Sequence, residues 1–293
     1  MTFRSPDTPE YTGEELALIL EAGEPIQVMD VRAPERVQQG RIDRVSADRF
    51  HNVRGSELIR AASIGDTGLD PEIPVVVVCG MGKDSKVLAL HLGSLGLDAR
   101  SLRGGLAEWF NLTLPRLLDP PQGLERLIQF DRIGKGCLGY LLVSEGEALI
   151  IDPPLQAESF LRAMEDAGAR LTGVVDTHVH ADYVSGGASL SQRFGVPYHL
   201  HPADAVYPYD GTPGRIEFHP VSDGEAIPFG DTGLTVVHTP GHTEGSVTLL
   251  LDNRVAFTGD FLFVESIGRP DLGGKEEAWA FQLWESVSRA REG

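Results

Sequence analysis

The chain has 293 residues, 41% hydrophobic and 23% charged, which predicts a soluble globular protein of about two domains. Its 43 acidic residues against 25 lysines and arginines leave a formal charge of −18, which argues against nucleic acid as a partner. A phosphate-binding face needs clustered cations.

Two cysteines, Cys79 and Cys137, make no disulfide framework and point to a reducing cytoplasm. Residues 1–6 show no apolar core of a signal peptide, and the longest apolar run, 74–79, is too short to cross a bilayer. No membrane partner is expected.

Residues 14–21 (EELALILE) predict a short amphipathic helix and 26–31 a strand. The unbroken apolar run 74–79 predicts a strand buried on both faces. Residues 85–95 predict a helix with Ser85 as its N-cap, and 106–110 a last short helix after Arg103-Gly104-Gly105. This alternation implies a parallel sheet covered by helices. Pro115, Pro120, Pro121 and Gly123 mark a linker over 113–125.

A second pattern starts near Gln129. Strands at 138–143 and 148–151 flank a turn signal at 144–147, and 158–167 predict a helix. Strands at 171–175 and 234–237, and a hairpin of 246–251 with 254–258 around Asp252-Asn253, each run toward a polar cluster. Residues 275–291 predict a long helix.

Cys79-Gly80-Met81-Gly82-Lys83-Asp84-Ser85 lies between the buried strand and a helix N-terminus. Inward-turned backbone N–H groups and the helix dipole favour a thiolate there, hence a nucleophilic sulfur. Cys137, beside Gly136 at a strand start, reads as packing.

With Asp30-Val31-Arg32-Ala33-Pro34-Glu35 and Arg103-Gly104-Gly105 before Trp109, residues 10–115 resemble a rhodanese sulfurtransferase domain. The resemblance implies a Cys79 persulfide intermediate. Lys83, beside Asp84, is the loop's one cation and is assigned to substrate binding; with no arginine in the loop, a neutral or protein-bound sulfur donor stays open.

The richest cluster is Thr177-His178-Val179-His180-Ala181-Asp182-Tyr183, followed by Thr239-Pro240-Gly241-His242 and Thr258-Gly259-Asp260. Each sits at a strand exit, and three histidines with an aspartate point to a metal. His199, His201, His219 and His238 read as non-ligands.

These motifs resemble the metallo-β-lactamase superfamily, and most its glutathione-linked members. The stretch 259–263 followed by Ile267-Gly268-Arg269-Pro270-Asp271 is similar to persulfide dioxygenases. The resemblance implies one Fe(II) held by His178, His242 and Asp260, with Arg269 taking a glutathione carboxylate. His180 is either a direct ligand or, like Asp182, a group that orients ligands or substrate. Dinuclear zinc hydrolases place a histidine at position 183; Tyr183, a poor zinc ligand, argues for one metal and is assigned to the substrate side.

The expected fold class is α/β. It consists of an N-terminal rhodanese-like parallel sheet with flanking helices and a C-terminal αββα metallo-β-lactamase-like sandwich over 125–293. That sandwich is expected to lack its last strand and helix, because the sequence ends on the terminal helix.

The expected function is oxidation of glutathione persulfide, or of another small sulfane-sulfur donor, with O2. The products are sulfite and glutathione, and sulfur transfer runs through Cys79. The pattern is compatible with a homo-oligomer. Two rivals stay open: a dinuclear zinc hydroxyacylglutathione-type thioester hydrolase, and a non-enzymatic sulfur carrier or sensor.

Overall fold

The computed structural model describes residues 9–205 and 216–292; residues 1–6, read above for a signal peptide, lie outside them. The chain divides into two compact units. One runs to Leu114 and includes Arg132–Cys137; the other comprises Pro115–Asp131 and Leu138 onward.

In the first unit the elements alternate: β1 (Glu10–Tyr11), α1 (Gly13–Glu21), β2 (Gln27–Asp30), α2 (Pro34–Val37), β3 (Phe50–Asn52), α3 (Gly55–Leu58), β4 (Val75–Val78), α4 (Asp84–Ser94), β5 (Ala99–Leu102) and α5 (Gly105–Trp109). The sheet order is β1-β5-β4-β2-β3, and the strand pairs are parallel.

The valine run of β4 explains why this sheet is covered twice. Val76 and Val78 face a core with Leu16 and Ala17 of α1 and Leu106 and Trp109 of α5. Val75 and Val77 face the other core, with Leu58 of α3 and Leu88, Ala89 and Leu92 of α4. All four valines are fully buried, each worth about 1.5–3 kcal/mol of transfer free energy. Cys79 leaves the carboxyl end of β4 next to β2, where the strand order reverses, the usual ligand crevice of an open parallel sheet.

Two expectations need correction here. The residue before α4 is Lys83, which caps with no side chain; Ser85 lies inside the helix, because its hydroxyl is taken by Cys79 and Ser101. The expected linker contains β6 (Leu114–Leu118), the edge strand of the second unit's larger sheet. Pro115 is compatible with an edge, where a missing N–H breaks no ladder.

The second unit contains two sheets. Seven strands order as β12-β11-β10-β9-β8-β7-β6: β7 (Arg126–Arg132), β8 (Cys137–Ser144), β9 (Glu147–Ile151), β10 (Arg170–Val175), β11 (Tyr198–Leu200) and β12 (His219–Pro220) join β6. Four strands order as β13 (Ala226–Phe229), β14 (Thr232–His238), β15 (Val247–Leu251) and β16 (Val255–Phe257).

Leu142, Leu149, Ile151 and Val175 of the larger sheet meet Ile227, Val236, Leu249 and Phe257 of the smaller one in a shared core. The larger sheet's other face packs on α6 (Glu158–Asp166) and α7 (Gly187–Phe194) through Phe160, Leu161, Met164 and Leu190. The last helix, α8 (Glu276–Glu292), rests on the end of β14, where Ser286 Oγ donates to the Pro240 carbonyl and Arg289 to that of His238. These layers are the expected αββα sandwich.

Two of the tight hairpin turns, Glu145-Gly146 and Asp252-Asn253, have positive φ at both central residues, as a type I′ turn requires. Among the described residues no helix is long and apolar enough to cross a membrane.

Candidate metal centre and cysteine loop

Strand direction assembles the metal centre. β9 and β10 are parallel, so Asp152 and the 176–178 segment leave the larger sheet together. β14 and β16 are both antiparallel to β15 and hence parallel to each other, so His242 and Asp260 leave the smaller sheet at one edge. His178, His242 and Asp260 come together, each offering a ligand atom within 4.8 Å of the others.

Hydrogen bonds fix which nitrogens face the centre. Thr177 Oγ1 donates to Asp152 Oδ2 at 2.8 Å, so the 3.0 Å contact with His178 Nδ1 must be donated by the ring N–H. His242 Nδ1 lies 3.0 Å from the Arg269 carbonyl, which can only accept. In the neutral tautomers that these contacts select, both Nε2 atoms carry lone pairs. They lie 4.0 Å (His178) and 3.5 Å (His242) from Asp260 Oδ2. Burial, then the charge of His180, push the His178 imidazole well below its ordinary range and keep it neutral. Two bare nitrogens and a carboxylate oxygen converging this closely fit a divalent cation.

His180 is not one of these three, although its ring centroid lies 4.2 Å from that of His178. It groups with Asp152 and Asp176, and its Nε2 is 3.3 Å from Asp152 Oδ1. Burial pulls its pKa down, but the Asp152 charge and hydrogen bond, with Asp176 and Asp260, win and push it up to about 9. Its Nε2 is thereby engaged with Asp152.

Tyr183 stacks on His180, centroids 4.2 Å apart, and its hydroxyl donates to the Asp152 carbonyl at 3.3 Å. Burial raises the Asp260 carboxyl; the imidazoles of His242 and His180 pull it down, and nearby Asp182 pushes it up again. Arg269 is exposed and holds Asp271 with two bonds, at 2.6 and 2.7 Å; its contribution to the centre is the backbone carbonyl on His242.

His199 packs edge-to-face with His219, and His201 stacks on His238. Among the described residues neither pair joins a group of three metal-binding side chains.

Sequence reading missed three aspartates. Asp152 holds Thr177, His180 and Tyr183 from a left-handed backbone (φ 50°). Asp176, fully buried, accepts from the Tyr198 hydroxyl at 2.7 Å, and burial pushes its carboxyl up to about 6. Asp204 binds two loops at once. The available signal was Asp152 at the end of an apolar strand; nothing local marks Asp204.

In the first unit Cys79 Sγ lies 3.3 Å from Ser85 Oγ, which lies 2.9 Å from Ser101 Oγ. Burial pushes the thiol up, yet hydrogen bonds from the Ser85 hydroxyl and the backbone of Ser85, Met81 and Asp84 outweigh it, so its pKa is lowered. Lys83 lines an adjoining cavity of about 520 Å³ with Met81, Gly82, Lys86, Val87, Leu90 and Gly104. Neither cysteine is in a disulfide; Cys137 is half-buried at the start of β8.

The sequence profile of the metallo-beta-lactamase superfamily matches residues 133–290, more than half of the chain. The chain belongs to the metallo-beta-lactamase superfamily. A rhodanese-like domain profile matches residues 12–112, so this superfamily member carries a rhodanese-like domain ahead of its metal-binding fold.

An uncharacterized protein of Aquifex aeolicus is 39% identical over 141 residues, 44% of this chain and 66% of the relative. The mitochondrial persulfide dioxygenase ETHE1 of Bos taurus is 34% identical over 143 residues, 48% of this chain and 52% of that one. A hydroxyacylglutathione hydrolase of Xanthomonas euvesicatoria is 32% identical over 164 residues, 56% of this chain and 59% of that one. The chain thus spans about half to two thirds of the length of these relatives.

Proposed function

We propose that the chain is an enzyme of sulfane-sulfur metabolism. It oxidises glutathione persulfide with O2 and water to glutathione and sulfite at one Fe(II), and transfers sulfur through a Cys79 persulfide. The observation that carries the reading is the donor set: two histidine Nε2 lone pairs and one carboxylate, the ligand pattern of non-haem iron oxygenases. Tyr183 at the position of a second metal's histidine, and the sulfur-handling Cys79 in the same chain, support it. So does the similarity to a persulfide dioxygenase.

Bound iron supplies the electron chemistry between the persulfide sulfur and O2. The chain's own residues do the rest. Thr177 and the Arg269 carbonyl fix the imidazole tautomers, and Asp152 keeps His180 as a cation beside the centre. Arg269 would exchange Asp271 for a glutathione carboxylate.

In the other half, assigned to 10–115, the hydrogen bonds of the loop after β4 favour the Cys79 thiolate, which attacks a sulfane sulfur, breaks the donor's S–S bond and releases the donor as a thiolate. The metal half is assigned to 125–293. Two cysteines outside any disulfide fit a reducing cytoplasm.

The rival reading, a glutathione thioester hydrolase, is favoured by the similarity to a hydroxyacylglutathione hydrolase and needs two metals. Elemental analysis of protein purified without added metal separates the two. About one iron per chain, O2 uptake with glutathione persulfide and loss of that uptake in His242→Ala are expected. Two zinc ions per chain with thioester hydrolysis and no O2 uptake would overturn the proposal.

A further inference from the structure

Asp204 closes the one-turn 3-10 helix Pro202–Asp204 that follows β11, and its carboxylate reaches two loops distant in sequence. Oδ2 accepts from the Val179 backbone N–H at 2.8 Å and from the Thr243 hydroxyl at 2.7 Å. Oδ1 accepts from the Gly245 N–H at 2.7 Å. Val179 follows His178, and Thr243 follows His242.

Residue 245 must be a glycine for this to happen, because a Cβ there would overlap the Asp204 carboxylate. The two segments also meet through the Val247 N–H on the Thr177 carbonyl, at 2.8 Å. Ties at 177 and at 179 therefore bracket His178.

We infer that Asp204 is a positioning residue: it binds the loop carrying His178 to the loop carrying His242 and so sets how their Nε2 atoms converge. The inference rests on the reading that His178, His242 and Asp260 hold a metal; it needs neither iron nor a persulfide.

A carboxylate suits the task because each of its oxygens is an acceptor and both are used. Asparagine keeps the shape but turns its amide NH2 either toward the Gly245 N–H or toward the Val179 N–H and Thr243 hydroxyl, so only part of the tie is lost; alanine removes all three acceptor contacts. Groups that orient metal ligands are worth about 10–100-fold in metal affinity.

The test uses the full chain in two measurements. In metal-free protein, hydrogen exchange of Asp204→Ala is expected to rise together in peptides covering 177–183 and 241–247 and to stay unchanged across α6 and α7. In a Co(II) titration the dissociation constant is expected to rise about 10–100-fold. The Co(II) absorption spectrum is expected to change with it, because the nitrogens converge differently. Thr243→Val should move both readouts in the same direction and Thr243→Ser should restore them.

A fold control, Leu190→Ala in the core beneath α7, should lower the melting temperature without moving the Co(II) constant. Exchange that rises in one loop alone or uniformly in Asp204→Ala, or an unchanged Co(II) constant in that variant, would overturn the inference. If the wild-type chain takes up no Co(II), the metal reading falls instead. The exchange measurement then still decides for or against the Asp204 tie.

Discussion

The thiol of Cys79 is pulled two ways, and the balance sets its reactivity. Its near-complete burial opposes charge, while four hydrogen bonds, one of them from Ser85 Oγ, favour the thiolate and prevail. A lowered pKa means that the thiolate persists as pH falls below the range where an ordinary cysteine protonates. Alkylation by iodoacetamide should follow this, with a midpoint below that of a free thiol.

Ser85→Ala removes one donor, so the midpoint should move up and the rate at a pH below it should fall about 2–10-fold, the equivalent of one net hydrogen bond. An unchanged rate profile would remove Ser85 from the account. Cys79, His178, His242 and Asp260 were legible in the sequence because each sits where an apolar run stops. Asp204 was not, because it acts across 25 residues on one side and 39 on the other, and nothing in its own neighbourhood encodes that.

At the scale of elements, the packing of α8 reaches directly into the metal centre. Gly241 precedes His242 with φ 137°, and a Cβ there would overlap the backbone and Cβ of Leu283 on α8. Only glycine meets both demands, the left-handed backbone and the close helix. Gly241→Ala must move either the helix or the loop. Urea unfolding should show a loss of about 2–4 kcal/mol, combining backbone strain and overpacking. Metal affinity should fall with it, because the shifted residue is next to a ligand. Full stability in Gly241→Ala would mean that α8 is not seated on this loop.

The apolar period placed the long elements correctly, β4 and α8 among them, since burial on two faces or on one stripe leaves an unambiguous pattern. It missed β6 because prolines at 115, 120 and 121 read as a linker, and an edge strand tolerates what a central one does not. The start of α4 was misplaced for a different reason: a serine that could cap the helix is held by a cysteine and another serine instead.

Taken as a whole, the molecule builds its cysteine loop and its candidate metal centre on separate cores. The cysteine loop is built on the cores around β4, and the metal centre on the exits of β9, β10, β14 and β16, whose cores share no residue with the first pair. That separation was legible from the change of pattern between the two halves. The placement of Arg132–Cys137 with the first unit was not, because a hairpin tip carries no mark of where it packs.

Separate cores predict separable losses. Cys79→Ser should abolish persulfide formation, read by mass spectrometry of the intact chain, and leave O2 uptake with supplied glutathione persulfide unchanged. His242→Ala should do the reverse, abolishing O2 uptake while Cys79 still loads with sulfur. If Cys79→Ser also stops O2 uptake when glutathione persulfide is supplied directly, the sulfur on Cys79 is an obligatory step of the oxidation. In that case the two halves form one reaction path in place of two activities on one chain.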